Sequence, residues 1–211
     1  MVNEYILELE KTITDKENLA LIRSLSQKFV KEHSKDECWE FSGEAWKSEY
    51  FQVQEMAVFI CGYIANTVED AYVFLEKIVP THTDWRIQEV LAMAFDSYCK
   101  SIGYENAMPN IQKWLNSKCD KNRRAVTEGL RVWTSRPYFK ENPQIAISIL
   151  SELREDESEY VRKSVGNALR DISKKNSELV KNELEKWDLS NKKELQVYKR
   201  AVKFLEKKEL L

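Results

Sequence analysis

Glycine (5 residues), proline (4) and histidine (2) are all scarce in this 211-residue chain. Each shortage excludes something. With so few glycines and prolines there is no flexible or Pro-rich linker, so a string of tethered domains is not expected. His33 and His82 are too few for a histidine-based metal site or a Ser-His-Asp triad, and His82, in the turn Pro80–Asp84, reads as a capping or exposed residue. The four cysteines (Cys38, Cys61, Cys99, Cys119) are far apart and form no CxxC pair, which leaves them as small core residues of a reducing compartment. No stretch approaches the roughly 18 uninterrupted apolar residues of a membrane helix. The opening Met1–Glu8 carries acid where a signal peptide carries base. The expectation is a cytoplasmic protein with no membrane partner, no metal and no organic cofactor.

A local pattern is present four times. The copies are Tyr50–Ala57, Asp84–Leu91, Asp120–Val126 and Glu159–Val165. Their equivalent polar positions are Gln54, Gln88, Arg123 and Arg162, spaced 34, 35 and 39 residues apart. Between them the apolar periodicity is helical throughout; Ile145, Ile149 and Leu153, for example, recur at spacing four. Periods of this size predict an all-α chain, a HEAT-like α-solenoid of stacked antiparallel helix pairs. A solenoid has one continuous core, so a single domain over 1–211 is expected, with short N-terminal helices at 1–34 and repeats over 35–211. Predicted helices include Asp15–Glu32, Cys38–Ser48, Asp84–Ile102, Asn106–Ser117 and Lys192–Lys207. Pro80, Gly103, Pro109, Pro137 and Pro143 fall between helices as breakers, and Phe59, Phe74, Phe95 and Trp114 should lie in the core.

The net charge of −2 hides a gradient. From Lys113 to Arg136 there are seven basic residues against Asp120 and Glu128, and a second cluster includes Arg162, Lys163 and Arg170. A charge run is usually a solvated face. Placed on successive repeats, however, these cations share one side and could face phosphate.

Two stretches carry a resemblance. Trp85-Arg-Ile-Gln-Glu89 opens a helix directly after a loop, and Arg123-Arg-Ala-Val-Thr-Glu-Gly-Leu-Arg is followed by Val161-Arg-Lys-Ser-Val-Gly-Asn-Ala-Leu-Arg-Asp-Ile172. Together they resemble the HEAT-like-repeat alkylpurine DNA glycosylases, the AlkD and AlkC families, across roughly Cys38 to Trp187. The resemblance implies double-stranded DNA as the partner, bound by a monomer. It implies Glu89 as the carboxylate and Trp85 as the aromatic wall of a site that excises cationic alkylpurines. Arg123, Arg124, Arg162 and Lys163 are then the DNA-binding cations, with Glu128, Trp133, Asn167 and Asp171 lining the site. A cationic base is already a good leaving group, and its departure builds oxocarbenium character that a carboxylate can stabilise.

The chain also departs from that pattern. Asn167 stands where a second stacking tryptophan is expected, with Trp133 and Tyr160 as candidate replacements, and the N-terminal segment is short. Both departures point to recognition of damaged or distorted DNA through its backbone, with weak or absent excision. The alternative is a HEAT-repeat protein-interaction scaffold. In that reading Glu55, Glu89, Arg124 and Lys163, which share one repeat column, form a ladder of salt bridges and Trp85 is a hydrophobic anchor.

Overall fold

A computed structural model describes Val2–Ile13 and Asn18–Glu209, with the side chains of Val2, Asn3 and Leu130–Trp133 outside the description. Every regular element among the described residues is helical. The chain divides into two compact units, Met1–Ala107 and Met108–Leu211.

The first unit holds α1 (Val2–Thr12), α2 (Leu19–Glu32), α3 (Lys35–Ala45), α4 (Phe51–Ile64), α5 (Glu69–Val73) and α6 (Trp85–Ile102). Its centre is α4, which packs against α2, α3 and α6. Because α4 is surrounded, its apolar residues are not confined to a stripe, and Val53, Met56, Val58, Phe59 and Ile60 are all fully buried. Each such side chain contributes about 1.5–3 kcal/mol by leaving water. Gly62 sets the distance to α6: a Cβ there would lie 2.6 Å from Ala94 Cα. Ahead of α6, the chain passes through a π-helical turn at Phe74–Ile78 and a 3-10 turn at Val79–Thr81.

The second unit is built the same way. Its helices are α8 (Asp120–Trp133), α9 (Pro137–Glu141), α10 (Pro143–Glu152), α11 (Glu159–Ser173), α12 (Ser177–Leu184), α13 (Lys192–Ala201) and α14 (Lys203–Lys207). Here α11 is central, between α8 and α13. Val161, Val165, Leu169 and Ile172 form its fully buried stripe, and Gly166 admits Arg200 and Val197 of α13. In sequence, α7 (Tyr104–Leu115) follows α6 and precedes α8.

The expected core residues Phe59, Phe95 and Trp114 are fully buried, and Phe74 is 8 % exposed. All four cysteines are free thiols, and burial pushes Cys61 up to about 12. Several expected boundaries move. The start at Asp15 falls outside the described residues, and α2 opens at Leu19 behind Asn18, whose side chain accepts from Leu21 N. Helix α3 starts at Lys35, three residues early, because Ser34 and Glu37 make a reciprocal capping box. Pro109 lies inside α7 instead of ending it. It is exposed, so the helical bond it cannot make falls on the solvent side. Pro137 opens the short α9, and the last helix is divided at Val202.

Candidate nucleic-acid interface

The four equivalent repeat positions occupy the same place in the fold, the fourth residue of α4, α6, α8 and α11. Their side chains also do the same thing. Each donates to the backbone carbonyl six residues earlier: Gln54 to Ser48 (3.0 Å), Gln88 to His82 (2.9 Å), Arg123 to Ser117 (2.8 Å) and Arg162 to Asp156 (2.5 Å). Each reaches a second carbonyl as well, those of Trp46, Val79, Lys118 and Glu157. The side chain thus fastens the loop entering a helix onto that helix's first turn by bonding the loop's carbonyls.

This changes the reading of two cations expected to meet phosphate. Arg123 also forms a bidentate pair with Asp156 (2.6 and 2.8 Å), so four of a guanidinium's five donor hydrogens are engaged inside the protein. That pair is largely buried, and it raises the Arg123 pKa further. Arg162 also donates through Nε to Gln196 Oε1 (2.8 Å). Both residues are loop clamps.

In the first unit the clamp by Gln88 positions Trp85. Asp84 caps α6 by accepting from Arg86 N (2.9 Å), and its own N–H donates to His82 Nδ1 (3.1 Å). The Arg86 guanidinium, bonded to the Asp84 carboxylate, holds that carboxyl below the usual carboxylate range. It lies 3.4 Å over the Phe51 ring. On this fixed corner the Trp85 indole is 61 % exposed, so it is not a hydrophobic anchor. Glu89, half-buried one turn further along α6, is on the same side of the helix. Its column neighbour Glu55 is fully buried in α4.

In the second unit a polar network joins α8 to α11. The Arg124 side chain is 8 % exposed, and its guanidinium stands 4.2 Å over the Tyr160 ring and 3.6 Å from Glu128 Oε1. Ser164 Oγ donates to the same carboxylate oxygen (2.8 Å) and lies 2.7 Å from Thr127 Oγ1. Tyr160 keeps 38 % of its surface exposed. Further along α11, Asn167 accepts weakly from Arg170 (3.4 Å), and Asp171 accepts from Lys174 (2.8 Å). Lys163 makes a 2.6 Å pair with Glu159 on the surface. The Trp133 side chain lies outside the described residues. Thus Arg124, Glu128, Tyr160 and Ser164 meet in one network, whereas Lys163 stands apart. Sequence reading missed Arg86, Thr127 and Ser164. Asp84 before a helix followed by arginine at the second position is a signal for the first, but no spacing marks the two hydroxyls.

Among the described residues no group of three or more His, Cys, Asp or Glu side chains could hold a metal ion, and no helix is long and apolar enough to cross a membrane.

A fold so regular can be compared residue by residue with known proteins. The structure of AlkD2 from Streptococcus mutans is similar at 45 % identity, with a TM-score of 0.94, and the match covers 97 % of this chain and 99 % of that one. The Pseudomonas fluorescens alkylpurine DNA glycosylase AlkC, solved bound to DNA containing an abasic site analog, shares the fold alone: 22 % identity, TM-score 0.66, over 83 % of this chain and 48 % of that one. An uncharacterized Bacillus subtilis protein, YhaZ, is 37 % identical over 90 residues, or 41 % of this chain and a quarter (25 %) of its own length. The HEAT-like, all-helical class expected from the repeats is therefore established, and the scaffold alternative is not favoured. The model of the DNA alkylation repair enzyme family matches residues 18–204, a span that takes in every repeat helix from α4 to α13, and on that match the chain belongs to the family.

Proposed function

We propose that the chain recognises damaged or distorted DNA through its backbone, each unit contributing its own groups, and that excision of an alkylated base is weak or absent. The observation that carries this reading is the Trp85 indole, 61 % exposed on a corner fastened by Gln88, Asp84 and Arg86. An exposed indole on a rigid support suits stacking against a base or sugar made accessible by damage. Similarity to a glycosylase structure bound to abasic-site DNA is consistent with such a ligand.

Lys163 and Arg124 are the phosphate-facing cations of this reading. Lys163 exchanges an exposed glutamate partner for a phosphate, and such exposed pairs are worth only ~0–1 kcal/mol. Arg124 keeps Glu128 at 3.6 Å from its guanidinium. In this reading Glu89, one turn from Trp85 on α6, is the carboxylate that would meet a developing oxocarbenium ion. The resemblance implies a second aromatic at position 167, where Asn167 instead accepts from Arg170 along its own helix. Tyr160 lies beneath Arg124, and that is the aromatic surface α11 offers instead. Glu128, already accepting from Ser164, orients Arg124.

The test is binding and base release measured together. Duplex DNA with a central abasic-site analogue should bind more tightly than the intact duplex. Trp85→Ala should lower that affinity about 5- to 150-fold, the ~1–3 kcal/mol of one base stack. No 7-methylguanine or 3-methyladenine should be released above the level of a Glu89→Gln control. Equal affinity of Trp85→Ala and the parent chain for both duplexes would refute the stacking role. Rapid release that Glu89→Gln abolishes would show a working glycosylase.

A further inference from the structure

His82 belongs to the corner that carries Trp85 but has no part in the stacking role proposed for it. It follows the 3-10 turn Val79–Thr81 and stands just ahead of Asp84, the cap of α6. Its carbonyl accepts from Gln88 (2.9 Å), and its ring Nδ1 accepts from the Asp84 N–H (3.1 Å). The half-buried ring also meets the Trp46 indole edge-on, with centroids 5.4 Å apart, at the C-terminal end of α3. Trp46 in turn packs edge-on against Phe74 (5.1 Å). A single side chain thus connects α3 to the residue that caps the helix bearing Trp85.

That connection depends on where the ring carries its hydrogen. A backbone N–H can only donate, so the bond from Asp84 requires His82 Nδ1 to be bare. The ring is then the neutral tautomer with its hydrogen on Nε2. His33 is the opposite case. Its Nδ1 lies 3.0 Å from the Phe29 carbonyl, which can only accept, so His33 carries its hydrogen on Nδ1. Protonating His33 leaves its bond in place, whereas protonating His82 sets two N–H donors against each other. The charged groups beside His82 are the Asp84 carboxylate and the Arg86 guanidinium paired with it. From α3 the facing group is the Trp46 ring, which does not titrate. An imidazolium at this place is drawn to the Asp84 carboxylate and competes there with Arg86, so the cap is disturbed as well.

We propose that His82 is a positioning residue for Trp85, holding the corner only while its Nδ1 is unprotonated, so that recognition through Trp85 is lost in acid. The inference rests on the stacking role of Trp85. Two measurements test it. The first needs no DNA: the chain has only two histidines, and nitrogen NMR of their rings should show hydrogen on Nε2 of His82 and on Nδ1 of His33. The second follows the preference for an abasic-analogue duplex over the intact one, a ratio in which the protein's general charge cancels. Imidazoles gain their proton between about pH 8 and about pH 5. Over that range the preference should fall about fivefold or more, to the level of Trp85→Ala. His82→Asn keeps an acceptor for the N–H two residues on, so its preference should stay high throughout. His82→Ala should be low throughout, and Trp85→Ala should not respond to pH. Should His82→Ala fail to fold, the parent against His82→Asn decides alone. Hydrogen on His82 Nδ1, a parent preference unchanged by pH, or a pH response in His82→Asn equal to the parent's would overturn the proposal. A Trp85→Ala chain that keeps the parent's preference would overturn the stacking role, and this inference with it.

Discussion

Gln54, Gln88, Arg123 and Arg162 differ in charge and length, yet each ties the carbonyl six residues earlier to the first turn of its own helix. At the first two positions a glutamine amide suffices. At Arg123 the same clamp also neutralises Asp156, whose side chain is only 5 % exposed. Replacing Arg123 by alanine leaves that carboxylate buried beside a bare carbonyl, and breaking a buried pair this way costs about 3–5 kcal/mol. Arg123→Gln should keep the carbonyl bonds and cost roughly half as much. Urea denaturation of the two variants checks this, and equal losses would show that the clamp contributes nothing apart from the ion pair. Sequence reading identified the four positions as equivalent because they repeat. It could not tell that they point into a loop, since a repeat gives register along the chain and says nothing of direction. Arginine at two of them therefore reads as surface charge. Trp85 was the opposite case: its type and position suggested a stacking surface, and its exposure is consistent with that.

At the scale of the helix, closeness of packing is set by two small residues. A Cβ at Gly62 would sit 2.6 Å from Ala94 Cα and 2.8 Å from its carbonyl oxygen, backbone atoms that cannot swing aside. Alanine is favoured over glycine in a helix by about 1 kcal/mol. Forced overpacking costs about 1–3 kcal/mol, and more where backbone must move. Gly62→Ala is thus expected to lose stability despite its better propensity. A thermal melt at or above the parent's would mean that α4 and α6 can separate without cost. Helical period, capping and core stripes were legible in the sequence for α4, α6, α8, α10 and α11. Two elements were not. Pro109 within α7 and Pro137 opening α9 are both prolines, which stop helices in most settings and start them in others. Which of these applies depends on whether the lost N–H falls in the first turn or on the exposed side.

For the molecule as a whole, on the proposed reading, the basic clusters overstate the number of phosphate contacts. Arg123 and Arg162 are committed inside the protein, so neither adds a phosphate contact. The salt dependence should therefore be shallow. Each phosphate contact contributes a slope of about −0.9 in log K against log salt. Lys163→Ala should reduce the slope by about 1, and Arg123→Gln should leave it unchanged. A slope that responds to Arg123 and not to Lys163 would reverse this assignment. The resemblance that suggested DNA was carried by Trp85–Glu89 and by the run from Val161 to Ile172. That was enough for the family but not for the contacts, because whether an arginine meets phosphate or its own backbone depends on the loop before it.

The clamp also determines where this chain can change length. The separation of side chain and carbonyl is six residues in every copy, while the distance between copies is 34, 35 or 39. The longest interval is the one that contains α9, Pro137–Glu141, inserted after α8 and well clear of any clamped loop. Residues added or removed within 48–54, 82–88, 117–123 or 156–162 would detach a loop from its helix. The same change next to α9 falls where the repeat already varies. A foreign peptide, an affinity tag or a new pair of chain ends belongs at that joint.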